Sequence, residues 1–438
     1  MTMSLPRGAR RLPLVFCAAL ALTACSSDDP KLQGERIAVR APEPVTLNGE
    51  VRSSRPLPPV IDAASWTHAG GDAAHSGGHR AGPAAPRLAW RVSAGVAPGA
   101  LLPPGAPVAD GGRIYVRDGA SGVMAFDAAT GRRVWEADLA LEGEDGDIGY
   151  GGGLALDAGR LFATTGFGET LALDPATGAI TWRTRGDAPY RSAPVASQGQ
   201  VASVSAANGV IGLDAASGAV AWRSEGLSTR TGNLGRGAPA AAPGAVLIPF
   251  GSGELSVIRI PSGVQVWSIN LGASAGGEGL SAFSDLTSGP VLAGAMVIAG
   301  TAGGQFVGID GRIGRQAWAR RFGSLSPAWV AGDTVFVMSS EPRVMRLNVE
   351  DGATMWAQTL DGYDDMEDRT DPITYAGPVL AGGKVWVTSS DGRLLSFDGV
   401  TGAPADAIDM PDGSVTGPIA AGGTIYVLTD AGDLLAYR

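Results

Sequence analysis

Cysteine is nearly absent from this 438-residue sequence. Only Cys17 and Cys25 occur, and both lie within the first 25 residues. If the chain is cleaved before Cys25, as argued below, it keeps one cysteine and can form no internal disulfide. If that cysteine also carries a lipid, the mature protein has no thiol nucleophile.

Histidine and charged residues are also scarce. The only histidines are His68, His75 and His79, and charged residues make up 17% of the chain. The histidines suggest a metal site, but their spacing fits no established zinc pattern, so a structural or capping role is the preferred interpretation. Acidic residues outnumber basic ones by 43 to 33, which gives a net charge of −10. This charge disfavours nucleic acid, so we expect a neutral or basic partner.

Long hydrophobic runs are missing as well. The apolar run at 12–22 is too short to span a bilayer. Arginines precede it and small residues follow, ending in "LTAC", which indicates an export signal over residues 1–24. The tetrapeptide resembles the bacterial lipobox, which implies lipid attachment at Cys25; an ordinary cleaved signal containing a cysteine is the alternative. Ser26 and Ser27 follow instead of Asp, a pattern that in such lipoproteins implies the outer membrane.

Proline and polar residues are frequent between the signal and residue 60. This composition predicts a lipidated flexible tether over residues 25–60. We therefore expect the folded body over residues 61–438.

Glycine, in contrast, is abundant, with 66 residues, and it recurs in a repeated motif. The first copy, "AFDAATGRRVW" (125–135), places an Asp, a Gly and a Trp four positions apart. Five further copies end in a tryptophan, and a seventh, at 396–406, has Asp406 in its place. A recurrence every 38–51 residues, with many short strands, predicts the blades of a β-propeller. The motif tryptophans are Trp135, Trp182, Trp222, Trp267, Trp318 and Trp356.

Each unit reads as four short strands, with the tryptophan on the outermost strand, where it can fill the wedge between blades. The last unit, 416–438, supplies only three strands, and "PRLAWRVSAG" (86–95) offers the fourth. The sequence therefore predicts an all-β protein, a monomeric eight-bladed β-propeller. Its ring is closed by an N-terminal strand that joins the last blade.

The repeat A-x-D-x-x-T-G-x-x-x-W resembles that of the pyrroloquinoline-quinone dehydrogenase superfamily, whose members are eight-bladed propellers. With the lipobox and no other domain, the chain from about residue 62 is similar to the BamB family, lipoproteins of the machinery that assembles outer-membrane β-barrels. The resemblance implies a non-enzymatic scaffold without a cofactor, anchored at the periplasmic face of the outer membrane. It also implies binding to POTRA domains of a BamA-like partner within a multi-protein complex. The segment "WTHAGGDAAHSGGH" (66–79) resembles an opening motif of such proteins.

Two loops carry the partner contacts in that family, and both have partial matches here. "NLGRGAP" (233–239) implies Leu234 and Arg236, while "SDLTSGP" (284–290) implies Asp285, with Thr287 replacing a second Asp. Both matches lie in long connections between an outer strand and the next inner strand. Such connections share one face of a propeller, which is the expected binding face. We expect Arg236 and Asp285 to lie close together there.

Other functions remain open at this stage. A quinone-dependent dehydrogenase has the same fold. Such enzymes use calcium, a catalytic Asp and often a pair of neighbouring cysteines, and this chain has no such pair of cysteines after cleavage. A periplasmic propeller that binds another ligand is a further alternative. The acidic loop 361–371 is interpreted as solvated, with a docking site for a basic partner or a cation as the alternative.

Overall fold

The structure is a computed structural model that describes residues 55–97, 105–143, 151–227, 237–272, 285–302 and 304–438. These residues form 34 β-strands and no α-helix, as the predicted all-β class requires. Nothing helical in these segments is long and apolar enough to cross a membrane.

Eight four-stranded antiparallel sheets form the blades of the propeller, as predicted. In chain order, β1 (Leu88–Ser93) belongs to blade 8. Blade 1 contains β2 (Val108–Asp110), β3 (Arg113–Arg117), β4 (Gly122–Asp127) and β5 (Arg133–Asp138), and blade 2 contains β6 (Gly152–Asp157), β7 (Arg160–Thr165), β8 (Glu169–Leu173) and β9 (Ile180–Arg185). Blade 3 contains β10 (Val195–Ser197), β11 (Gln200–Val204), β12 (Gly209–Asp214) and β13 (Val220–Glu225). Blade 4 contains β14 (Ala240–Ala242), β15 (Ala245–Pro249), β16 (Glu254–Arg259) and β17 (Val264–Asn270). Blade 5 contains β18 (Val291–Ala293), β19 (Met296–Gly300), β20 (Phe306–Asp310) and β21 (Arg315–Arg320). Blade 6 contains β22 (Trp329–Ala331), β23 (Thr334–Ser339), β24 (Arg343–Asn348) and β25 (Thr354–Thr359). A hairpin of β26 (Tyr363–Asp365) and β27 (Thr370–Pro372) precedes blade 7, which contains β28 (Tyr375–Ala381), β29 (Lys384–Ser389), β30 (Arg393–Asp398) and β31 (Pro404–Asp409). Blade 8 is completed by β32 (Ile419–Ala421), β33 (Thr424–Leu428) and β34 (Asp433–Tyr437).

The ring closes through blade 8, where the two ends of the propeller share one sheet. Strand β1 pairs antiparallel with β34, with Trp90 opposite Ala436 and Ser93 opposite Asp433. The guanidinium of Arg91 also contacts the Asp433 carboxylate at 2.5 Å. This is the strand that residues 86–95 offer in the sequence, and its pairing removes the open edge of β34.

Strand alternation gives the propeller two different faces. The hairpins between the first and second strands of a blade, and between the third and fourth, lie on one face, here called the turn face. The remaining hairpins and the connections between blades lie on the opposite face, here called the connection face. The outer strand of each blade therefore ends, and the inner strand of the next blade begins, at the connection face, as the antiparallel order requires.

Neighbouring blades are joined by contacts between a motif tryptophan and the motif glycine of the next blade. An added Cβ at Gly178, whose φ is +77°, would lie 2.6 Å from the ring of Trp135. In each of seven such pairs the glycine has a positive φ and its Cβ position is 2.6 or 2.7 Å from the tryptophan side chain. Only glycine combines this backbone conformation with the required space. The pairs are Trp90–Gly131, Trp135–Gly178, Trp182–Gly218, Trp222–Gly263, Trp267–Gly314, Trp318–Gly352 and Trp356–Gly402.

The indole N–H makes a second contact between blades. Trp135 donates to the carbonyl of Pro175 at 2.9 Å, and five other tryptophans donate to the equivalent carbonyl of the next blade at 2.8–3.3 Å. Trp222 is the exception and donates to the side chain of Gln200 in its own blade. Since an unpaired buried N–H costs about 1–3 kcal/mol, these bonds favour one fixed orientation of each ring. The tryptophan is thus a directional contact as well as the expected wedge filler.

The motif copy without tryptophan, 396–406 in blade 7, lies next to blade 8, which has no turn between its third and fourth strands. The third and fourth strands of blade 8, β34 and β1, come from opposite ends of the propeller and are joined by no turn. In place of an indole, Asp406 accepts hydrogen bonds from Lys384 at 2.7 Å and Ser396 at 2.6 Å. Lys384 also donates to the carbonyl of Ala84 at 2.9 Å. A polar cluster therefore replaces the aromatic contact where its partner is missing.

Residues 61–82, here called the belt, make one circuit of the turn face. The belt bonds in order to the innermost strand of every blade, or to the turn directly after that strand. Trp66 of the belt stacks on Trp329 of blade 6 with ring centroids 5.1 Å apart, and Arg80 lies over Trp66. The contacts are Ala63 with Gly422, Trp66 with Ala109, Thr67 with Leu156, His68 with Ala196, Ala73 with Ala241, Ala74 with Leu292, Gly78 with Val330 and Arg80 with Leu380.

The chain before the belt also packs on the propeller. Arg55 forms an ion pair with Asp333 of blade 6, and Leu57 packs against the largest apolar core cluster. The carbonyl of Pro58 lies 2.8 Å from Nδ1 of His79. The predicted boundary at residue 61 therefore falls inside packed chain, and the folded body extends at least to Arg55.

Candidate interaction face

The connection face carries the described part of the predicted contact residues. Asp285 and Thr287 lie just before blade 5, whereas Leu234, Arg236 and the lipid-site cysteine Cys25 lie outside the described residues. The side chains of Asp285 and Thr287 are 2% and 8% exposed. Neither side chain is therefore a free surface group.

Thr287 and Asp285 participate in the packing of their own connection. The Thr287 hydroxyl donates to the carbonyl of Ser324 at 2.8 Å, and its amide donates to the carbonyl of Asp285 at 3.0 Å. The same Asp285 carbonyl receives the amide of Ala302 at 3.4 Å. These bonds hold the start of blade 5 against the connection into blade 6.

The connections before blade 4 and before blade 5 meet where each enters its blade. The amide of Gly237 donates to the carbonyl of Leu286 at 3.2 Å. A Cβ at Gly237 would lie 2.2 Å from the amide nitrogen of Gly289, so only glycine permits this approach. The residue after Arg236 thus contacts the residue after Asp285. The spacing between the Arg236 and Asp285 side chains stays a prediction.

The acidic segment 361–371, interpreted from the sequence as a solvated loop, contains the hairpin of β26 and β27. Tyr363 pairs with Pro372 and Asp365 with Thr370. Its base is fixed, because Tyr375 donates to the carbonyl of Asp361 at 3.0 Å and the amide of Ile373 donates to Gly362 at 3.0 Å. The tip is exposed, including Met366 at 56%. An acidic hairpin with a bonded base and an exposed tip therefore lies on the connection face.

The three histidines connect the belt to three blades. All are buried, and each ring nitrogen that bonds does so within the protein. Burial lowers the pKa of His68 to about 3 and also lowers the pKa of His75. The neutral rings of His68 and His75, and the hydrogen bonds of all three histidines, suit the structural or capping role that the sequence favours. The backbone partners in these blades are Ala196 of blade 3, Pro290 beside blade 5 and Gly383 of blade 7, at 3.1, 3.0 and 2.9 Å.

A metal ion or a quinone would need suitable ligands and space among these residues. Within the described segments, no three His, Cys, Asp or Glu side chains are grouped so that they could share a metal ion. At the turn-face end of the inner strands, Trp66, Trp329 and Arg80 are already stacked on one another and buried. The described His, Cys, Asp and Glu side chains therefore provide no set of three ligands for a metal ion.

Known proteins resemble this chain in sequence over most of the propeller. A sequence model for the family of outer membrane protein assembly factor BamB matches residues 81–147 and 121–358. The chain belongs to the BamB family. Among curated BamB relatives, the protein of Salmonella typhimurium is 28% identical over 71% of this chain and 80% of its own length. The BamB of Escherichia coli is 27% identical over the same shares.

Solved structures that share the fold of this chain differ from one another in activity. BamB from Moraxella catarrhalis superposes with a TM-score of 0.61 at 18% identity, over 81% of this chain and 98% of that one. A europium-containing methanol dehydrogenase gives a TM-score of 0.68 at 14% identity, over 86% and 98%. At these identities the superpositions establish the eight-bladed fold alone, which BamB proteins and dehydrogenases have in common.

Proposed function

We propose that the protein is a non-enzymatic outer-membrane assembly factor that binds POTRA domains of a BamA-like partner and assists the folding and insertion of outer membrane proteins. The observation that carries this proposal is the alignment with curated assembly factors over 71% of the chain. The rigid propeller is suited to such a scaffold, because its connection face presents several loops without changing the core.

The proposed contact surface surrounds the junction of Gly237 and Leu286 on the connection face. Leu234 and Arg236 immediately precede this junction and are proposed to contact the partner. Asp285 and Thr287 are buried there, so we give them a positioning role rather than a direct contact. An arginine in such a loop can form charge-assisted hydrogen bonds to a partner carboxylate or carbonyl.

The proposed location is the periplasmic face of the outer membrane, with the lipid attached at Cys25. The basic start, short apolar run and "LTAC" of the signal support this location. The lipid would hold the propeller at the membrane while the connection face remains available to proteins.

A non-enzymatic role is supported by the residues at the turn face. The Trp66–Trp329 stack is buried at the ends of the inner strands there, and no three His, Cys, Asp or Glu side chains of the described segments are grouped so that they could hold a metal ion. The dehydrogenase alternative has in its favour the shared fold, which by itself does not determine a reaction.

The test is titration calorimetry of the mature chain, without its lipid, against purified POTRA domains. Arg236→Glu should weaken binding by about 1–3 kcal/mol, the range for a charge-assisted hydrogen bond, without changing the melting temperature. Arg132→Glu is the matched control, because Arg132 is exposed on the turn face. Equal binding by both variants would remove Arg236 from the interface, and absence of binding by the unmodified chain would refute the POTRA partner.

A further inference from the structure

A groove lies between blades 6 and 7 and opens beside the β26–β27 hairpin. Two cavities of about 380 Å³ each are adjacent, because both are lined by Asp361 and Arg393. The first lies under the hairpin, where Tyr363, Met366 and Ile373 line it. The second descends between the blades along Leu360, Leu395 and Phe397. The groove thus begins at the connection face and has apolar side chains as part of a mixed lining.

The walls of this groove are acidic. Asp361, Asp364 and Asp391 line it. Asp361 lies near Arg393 and is one of the groups that raise the pKa of that arginine. The cation in the lining, Arg393, is held by Asp391 at 2.5 Å. The hairpin adds four more acids near its tip and one arginine, Arg369. Acids therefore outnumber bases in the groove, and they lie beside apolar side chains that are partly exposed.

We propose that this groove binds an extended, basic polypeptide segment in which lysine or arginine alternates with apolar residues. Successive side chains of an extended segment point in opposite directions, so one set can reach the apolar side chains of the lining while the other reaches the acidic wall. Charge complementarity favours a basic partner, and the fixed base of the hairpin means that little ordering is required on binding. The groove is separate from the Gly237–Leu286 junction, so the inference stands apart from the POTRA proposal.

The direct test uses a fluorescein-labelled peptide of alternating lysine and valine and a same-length peptide of alternating glutamate and valine. Fluorescence anisotropy should detect the lysine peptide with the full mature chain and not the glutamate peptide. Raising the salt concentration should weaken binding, because the carboxylates lie at the surface. Absence of binding by the lysine peptide at millimolar concentration would overturn the proposal, as would equal binding of the two peptides.

A pair of double variants locates the site. Asp361→Asn with Asp364→Asn should raise the Kd of the lysine peptide about tenfold, since two charged contacts are lost. Asp110→Asn with Glu350→Gln removes the same charge from the turn face and should change the Kd less than twofold. If both double variants weaken binding equally, the attraction is due to net charge and the groove is not the site.

A photo-crosslinking derivative of the lysine peptide supplies a readout that does not depend on substitutions. Its cross-links should map to the hairpin and to β30, which line the groove. Cross-links confined to other blades would overturn the assignment. POTRA titration uses a different probe, so failure of either proposal leaves the other testable.

Discussion

The contact between Trp135 and Gly178 offers a direct test of how the repeats hold the ring together. Gly178→Ala places a methyl group where the indole already lies, 2.6 Å from the nearest ring atom. The same substitution also forces alanine into a positive φ. The two effects must be separated before the contact itself can be assessed.

Gly199 is the matched control, because its φ is +75° but nothing lies within 4 Å of its Cβ position. Gly199→Ala therefore carries only the backbone penalty, about 1 kcal/mol. Gly178→Ala carries that penalty and overpacking against Trp135, which adds about 1–3 kcal/mol. We expect its free energy of unfolding to be lower than that of Gly199→Ala by this added amount.

A double-mutant cycle completes the test. In a Trp135→Ala background the indole is gone, so Gly178→Ala should be no more destabilising than Gly199→Ala. Urea unfolding followed by circular dichroism measures the three single variants, Gly178→Ala, Gly199→Ala and Trp135→Ala. It also measures each glycine variant combined with Trp135→Ala. If Gly178→Ala and Gly199→Ala lose equal stability, or if the Trp135→Ala background changes neither, the steric reasoning is wrong.

Three further outcomes are expected. Cys25→Ala should leave a soluble periplasmic protein, and a variant that still sediments with membranes after a high-salt wash would contradict a lipid-only anchor. The pKa of His68 is about 3 in the folded chain, below the ordinary 6.5, so only the unfolded chain gains a proton there as the pH falls below 6.5. Between pH 7 and pH 5 the wild type should therefore lose about 1–2 kcal/mol more of its free energy of unfolding than His68→Gln does. Equal losses in urea unfolding would refute this linkage. Adding pyrroloquinoline quinone and calcium should give no dye reduction with alcohols or sugars above the no-enzyme control, and clear cofactor-dependent turnover would favour the dehydrogenase alternative.

The repeats predicted the architecture because each copy carries its own turn and its own outer-strand tryptophan. The spacing of Asp127, Gly131 and Trp135 identified a tight turn and an outer strand, and the unfinished last unit indicated the role of residues 86–95. The spacing did not reveal that each tryptophan packs on the glycine of the following copy. Such a contact joins different repeats, so no pattern within one repeat expresses it. One feature of the sequence indicated it: the copy with Asp406 in the tryptophan position is the copy before blade 8, and blade 8 lacks the glycine-containing turn on which a tryptophan would pack.

The candidate site was less predictable than the fold. The resemblance implies that Asp285 contacts a partner, yet Asp285 is only 2% exposed, because a short motif does not show whether a carboxylate faces solvent or a neighbouring loop. The belt has no periodicity, and most of its contacts use backbone groups that every residue possesses. The β26–β27 hairpin is equally hidden, since its short strands are rich in acids, which are depleted from strands in general.

The belt has a consequence for the order in which the protein can form. It leaves the ribosome before any blade, yet its bonding partners are spread from Ala109 to Gly422. The closing strand β1 likewise waits for β34 at the far end of the chain. An incomplete chain therefore cannot satisfy its own amino-terminal segment, whatever number of blades it has already made. We expect the completed ring to form late and all at once, and contacts of such long sequence separation are those that slow folding most.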